Sequence, residues 1–328
     1  MVSRLIYICI KLVSSTPLPV SRFLGRILAG VLSFLPLRRT TVSLENIRRS
    51  YNGSMGLEGA KKLNRKVLLH FSRMLFEVPH ILNINKNNLE KYVTFVHEEN
   101  LHRALKKGKG AFILTGHFGN WEIISAAISL RFGRLSIVAR PFDFKPLDRV
   151  MQDLRSRFGG EIIPKQKAMR KILDSIRKKR IVGILLDQNV DWYAGVFVKF
   201  LGRWACTNKG LALLALKTGA PVIPAFSVRH KDGRYRIVFE DEVRLIETGD
   251  KTKNVEENTA LFTRVIEDYV LKYPDQWLWF HQRWKTRPYC PLPVSYGKEA
   301  NKSLGASPQP VESLQVERLE CWNNGTLE

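Results

Sequence analysis

Four short runs in this chain are apolar along almost their whole length: Ala111–Thr115, Leu135–Ala139, Ile181–Leu186 and Pro221–Ser227. Stretches with apolar residues at three- and four-residue steps follow them, over 120–132, 167–180, 208–218 and 255–272. A strand that is apolar on both alternating faces belongs in a sheet covered on both sides, and helical crossovers make neighbouring strands parallel. The expected fold is therefore α/β, with a mostly parallel central sheet flanked by helices. A further helical period through Val67, Leu68, Phe71, Met74, Leu75 and Val78 places a helix ahead of the sheet.

Reactive groups in such sheets gather beyond the carboxyl ends of the strands. Thr115-Gly116-His117-Phe118-Gly119-Asn120-Trp121-Glu122 lies at such an end, between strand and helix. Asn120 suits the N-cap, and Glu122 falls in the first turn, where the helix dipole favours a negative charge. Five residues apart on one helix, His117 and Glu122 would diverge by about 140°, but a glycine-containing loop can fold the imidazole back over the first turn. An imidazole backed by a carboxylate is a general base, and it can take a proton from an acceptor hydroxyl without a serine or cysteine nucleophile. The spacing alone is weak, since 7 His and 30 acidic residues in 328 positions give about 0.6 chance occurrences. A carbonyl-capping loop histidine and a helix-start glutamate would look the same. Asp187 and Gln188 end another strand at the same edge; they are candidates to orient Arg140, to bind substrate, or simply to form a turn.

The balance of 53 Lys and Arg against 30 Asp and Glu leaves a net charge of +23, which favours polyanions. Zinc fingers, RNP-type aromatic strands and a recognisable helix-turn-helix are absent from the sequence, so anionic lipid or an acidic protein is expected as partner and nucleic acid is not. No metal-ligand spacing, P-loop or dinucleotide glycine pattern stands in a strand-to-helix turn, so neither metal nor cofactor is expected. Cys9, Cys206, Cys290 and Cys321 are scattered and form no C-x-x-C pair.

Residues 1–40 hold two apolar runs, Leu5–Val13 and Phe23–Leu37, broken at Pro17 and Pro19 and flanked by Arg4, Arg22, Arg26, Arg38 and Arg39. The first is too short to span a bilayer. Two readings follow, an uncleaved membrane anchor or interfacial hairpin and a buried helical hairpin, and the arginines favour the first. The core domain is expected over 41–294. The Gly-, Ser- and Pro-containing charged stretch 295–328 reads as a disordered tail.

Several blocks in order resemble the lipid A biosynthesis acyltransferase family, the lauroyl and myristoyl transferases. They are the His117–Glu122 segment, Ala139-Arg140-Pro141, Asp187-Gln188, Gly195-Val196-Phe197-Val198, Thr218-Gly219-Ala220-Pro221-Val222-Ile223-Pro224 and Pro274-Asp275-Gln276-Trp277-Leu278-Trp279. The resemblance spans about residues 1–290. It implies a glycerol-3-phosphate-acyltransferase-like fold at the cytoplasmic face of the inner membrane, and a catalytic His117–Glu122 dyad. It also implies an acyl carrier protein thioester as donor and a hydroxyl of an anionic glycolipid, a lipid A precursor of Kdo-lipid IVA type, as acceptor. Arg140 would hold a phosphate or the donor's phosphopantetheine, with Asn120, Asp187 and Gln188 as further substrate contacts. Lys199 stands where the family pattern has proline, and Cys206-Thr207-Asn208-Lys209 also departs from it; both bear on acyl length and acceptor. Two alternatives stand beside this reading: another glycolipid acceptor, such as a phosphatidylinositol mannoside, and a membrane-bound polyanion-binding protein without activity. Trp277, Trp279, Phe280, His281 and Trp284 form an aromatic cluster suited to an interface or to a core.

Overall fold

The computed structural model describes residues 2–51, 54–165 and 168–288; the expected tail over 295–328 lies outside them. The chain divides into two units, Met1–Thr286 and Arg287–Glu328. In the first, helices α1 (Val2–Ser15), α2 (Leu18–Phe34), α3 (Arg38–Ser50) and α4 (Gly56–Glu77) precede the alternating part. That part runs β1 (Val93–Val96), α5 (Glu98–Lys106), β2 (Ala111–Thr115), α6 (Trp121–Phe132), β3 (Leu135–Ala139), α7 (Lys145–Ser156), β4 (Glu161–Pro164), α8 (Ala168–Arg177) and β5 (Ile181–Leu185). A hairpin of β6 (Gly195–Phe200) and β7 (Arg203–Asn208) follows, then α9 (Gly210–Thr218), β8 (Val222–Arg229), β9 (Tyr235–Phe239) and α10 (Lys251–Lys272).

Seven strands form one sheet in the order β1-β9-β8-β2-β5-β3-β4. Every pairing is parallel except that of β8 with β9, so the expected parallel α/β sheet is present. The four apolar runs are β2, β3, β5 and β8; they lie side by side at the sheet's centre as β8-β2-β5-β3, which is why they read as continuously apolar. Alternate residues of β2 serve two cores: Phe112 and Leu114 pack with α4, α8, α9 and α10, whereas Ala111 and Ile113 pack with α5, α6 and α7.

The N-terminal helices belong to the same compact unit. Ser21, Gly25 and Ala29, four residues apart on α2, are buried. A Cβ at Gly25 would lie 2.6 Å from the Cα of Arg73, so only glycine lets α2 approach α4 this closely. Val20, Phe23, Ile27, Val31 and Phe34 of α2 face outward and are exposed, as are Val2, Leu5, Ile8 and Leu12 of α1. Among the described residues no single helix is long and apolar enough to cross a membrane; α2 and α3 together pass by length and composition but bend by 85°.

His70 of α4 is buried, and its Nε2–H donates to the Gly119 carbonyl at 3.1 Å. Burial first, then the nearby Arg229 guanidinium, pushes its pKa from 6.5 down to about 3. The folded protein keeps this imidazole neutral, while the unfolded chain protonates it below pH 6.5. Its contribution to stability is therefore complete above pH 6.5 and declines as pH falls toward 3. Between pH 7 and pH 5 the loss is about 2 kcal/mol, read as a lower urea midpoint. A His70→Gln variant with the same pH slope as the wild type would contradict this assignment.

Candidate active site

β2 and β5 are parallel neighbours with Thr115 opposite Leu185. Two residues beyond each strand end, the same register sets His117 beside Asp187. The Asp187 carboxylate is 3% exposed. Its Oδ1 accepts from His117 Nδ1 at 2.8 Å, and its Oδ2 accepts from the His117 backbone N–H and from the Trp277 indole N–H, each at 2.8 Å. Burial alone would raise its pKa, but the His117 ring, these hydrogen bonds and Trp277 outweigh burial and hold it at about 2. An ionised Asp187 fixes the proton on Nδ1, so the lone pair of His117 is on Nε2. The amide of Gln188 lies 3.1 Å from that nitrogen and donates to it.

The His117 loop is clamped from behind. Gly119 N–H donates to the Gln276 carbonyl at 2.8 Å, and Leu278 N–H donates to the His117 carbonyl at 3.0 Å. Gly119 has φ +57°, and a Cβ there would sit 1.5 Å from the Ser227 carbonyl oxygen, so no other residue fits. Asn46 of α3 donates to the carbonyls of Trp279 and His281, tying the same segment to the N-terminal helices. The aromatic cluster of the sequence is core: Trp277, Trp279 and Trp284 are buried.

Both ring nitrogens of His117 are thus taken by Asp187 and Gln188, and neither meets Glu122. This differs from the direct His117–Glu122 contact that the sequence suggests. Glu122 is buried in the first turn of α6, where Arg155 of α7 grips it with two hydrogen bonds, Nε to Oε2 at 2.8 Å and Nη2 to Oε1 at 2.5 Å. Burial disfavours the Arg155 cation, yet its hydrogen bond and charge pairing with Glu122 raise its pKa. Trp121 Nε1 also donates to Glu122 at 3.0 Å, and the Trp121 ring stands edge-on to His117 with centroids 5.1 Å apart. Glu122 therefore reaches His117 through Trp121, as the anchor of the wall against which the imidazole rests.

Asn120 caps α6, its Oδ1 accepting from Ile123 N–H at 3.2 Å. Its side chain faces a small enclosed cavity shared with Arg22, Glu77 and Tyr235. Arg140 follows β3 and pairs with Asp143 at 2.8 Å, its side chain 73% exposed. Asp187 does not orient Arg140: its hydrogen-bond partners are His117 and Trp277, and Arg140 pairs with Asp143 instead. Cys206 is buried behind Arg283, which donates to its carbonyl at 2.9 Å, and Lys199 is exposed on the β6–β7 hairpin.

Residues 2–286 match the model of the bacterial lipid A biosynthesis acyltransferase family. The chain belongs to this family. A lipid A biosynthesis acyltransferase of Haemophilus influenzae is 25% identical over 225 residues, 68% of each chain. The lipid A biosynthesis palmitoleoyltransferase of Escherichia coli is 24% identical over 275 residues, 83% of this chain and 87% of that one. A phosphatidylinositol mannoside acyltransferase of Mycolicibacterium smegmatis is 23% identical over 249 residues, 73% of this chain and 79% of the other. In this lipid A acyltransferase family member, Arg155 and the indole of Trp277 are site residues that spacing did not assign. Arg155 stands in an amphipathic helix where nothing separates it from a surface arginine, and the indole contact depends on folding.

Proposed function

We propose that this protein moves a fatty acyl chain from an acyl carrier protein thioester to a hydroxyl of a lipid A precursor of Kdo-lipid IVA type, at the cytoplasmic face of the inner membrane. One observation carries the chemistry: His117 has Nδ1 bound to the buried, ionised Asp187 and the lone pair of Nε2 directed away from it. Among the described residues, neither ring nitrogen bonds a serine, threonine or cysteine, which suits a base acting on a substrate hydroxyl rather than on a protein nucleophile.

In this reading Nε2 takes the acceptor hydroxyl's proton as the oxygen attacks the thioester carbonyl. The C–S bond then breaks, and the imidazolium returns the proton to the leaving thiolate. Asp187 stabilises the imidazolium while it exists. Glu122 and Arg155 hold Trp121 against the ring. Arg140 would meet a phosphate, since its partner Asp143 is itself 90% exposed and such a pair is worth little. The exposed Arg170, Lys171, Lys178 and Lys179 in and just beyond α8 suit an acidic carrier protein.

The outward apolar residues of α1 and α2, beside Arg4, Arg26 and Lys11, support attachment to an anionic bilayer. Purified protein incubated with radiolabelled acyl carrier protein thioester should label the lipid A precursor, and it should float with anionic vesicles. Label reaching only a phosphatidylinositol mannoside would replace the acceptor, equal transfer from acyl coenzyme A would remove the carrier, and no transfer to any glycolipid would refute the reading.

A further inference from the structure

The nitrogen that the reaction needs is not bare. We infer that Gln188 is a removable cap on His117 Nε2, withholding the base from water until an acceptor hydroxyl takes the amide's place. This rests on the acyl-transfer reading given above. Because Nδ1 carries the proton toward Asp187, the only role left for the Gln188 amide at 3.1 Å is to donate to the Nε2 lone pair. That is the lone pair that would abstract the hydroxyl proton.

The backbone beneath the cap is held, whereas the cap itself is not. Arg283, fully buried, donates from Nη1 to the Gln188 carbonyl at 3.3 Å and to the Cys206 carbonyl at 2.9 Å, and from Nη2 to Thr207. Asn189 N–H donates to His281 Nε2 at 2.9 Å, and the Asn189 amide exchanges hydrogen bonds with Thr286 at 2.9 and 3.1 Å. The Gln188 side-chain oxygen has no hydrogen-bond partner among the described residues, and the side chain is part-exposed. Its amide is therefore tethered to a rigid base by rotatable bonds and held at its far end by one neutral hydrogen bond.

A thioester beside an uncapped base is open to hydrolysis. Water would give its proton to Nε2 as its oxygen attacks the carbonyl; the C–S bond breaks, the thiolate regains the proton, and the donor is lost as free fatty acid. A water molecule must displace the amide with no other contacts to compensate. An acceptor glycolipid brings contacts along its whole length, so it can lift the cap where water cannot.

Gln188→Met keeps the length and removes the donor. With labelled donor, release of free fatty acid relative to glycolipid product should rise about three- to tenfold, the worth of one neutral hydrogen bond. Diethyl pyrocarbonate, which acylates a free imidazole lone pair, should modify His117 faster by a similar factor, read by mass spectrometry on wild-type and variant proteins without substrate. Gln188→Glu, a carboxylate that accepts rather than donates, should hold a proton on Nε2 as well as on Nδ1 and slow that modification. Gln188→Ala serves as the second variant should Gln188→Met not fold. A variant with a wild-type melting midpoint, an unchanged hydrolysis-to-transfer ratio and an unchanged rate of His117 modification overturns the cap. Absence of transfer by the wild type would refute the enzyme reading alone, because the modification rates still decide the cap.

Discussion

Asp187→Asn lowers kcat by about 10³- to 10⁴-fold while leaving the fold intact. The size follows from which atoms the side chain must satisfy. Oδ2 accepts two N–H groups, from the His117 backbone and from Trp277. The asparagine oxygen takes that position because the amide NH2 cannot accept. The NH2 then faces His117 Nδ1 and donates to it, which forces the imidazole proton onto Nε2 and removes the lone pair from the nitrogen proposed to act as base. Steady-state transfer assays read the loss, and ¹⁵N shifts of the imidazole read the tautomer. Trp277→Phe, which removes one of the donors to Oδ2 but preserves the charge, should cost less than about tenfold. Near-wild-type turnover by Asp187→Asn would eliminate His117 as the base.

The largest expected effect on stability is at Glu77. This carboxylate, buried at the end of α4, accepts from Arg22 Nε at 2.9 Å, from Arg229 Nη1 and Nη2 at 2.6 and 2.5 Å, and from the Tyr235 hydroxyl at 2.6 Å. Burial would raise its pKa, but Arg229, Tyr235 and Arg22 together lower it. α2, α4, β8 and β9 thus meet on one charge. Glu77→Gln leaves the Arg22 and Arg229 guanidinium groups without it and should cost about 3–5 kcal/mol. Urea denaturation reads the cost, and faster hydrogen exchange along α2 should accompany it. A combined Arg22→Met, Glu77→Leu, Arg229→Met variant should recover much of that loss, since a neutral apolar cluster leaves no charge unpaired. A loss under about 1 kcal/mol for Glu77→Gln would show that water reaches the site.

What could be read from the sequence depended on whether the signal was local. β2, β3, β5 and β8 are covered on both faces and stand out as apolar runs. β1, β4 and β9 carry Thr94, Glu161 and Arg236 among their apolar residues, because β1 and β4 are the sheet edges and β9 is next to one; none of the three makes a continuous run. The strand ends marked both His117 and Asp187. Their pairing, 70 residues apart, is a property of register, and spacing along the chain pointed to Glu122 instead. Arg155 and the partners of Glu77 are charged residues within amphipathic or mixed segments, and their burial is decided only when helices pack.

The clamp on the His117 loop also sets when the site can form during synthesis. Trp277 completes the hydrogen bonding of Asp187, and Gln276 and Leu278 fix the loop backbone. A chain made from its N-terminus exposes His117 and Asp187 well before it contains Trp277. At about 5–20 residues per second, the interval between His117 and Trp277 is roughly 10–30 s. Through the later part of it the nascent chain has both the histidine and the aspartate but no finished base, so unfinished copies on the ribosome lack the arrangement proposed for acyl transfer.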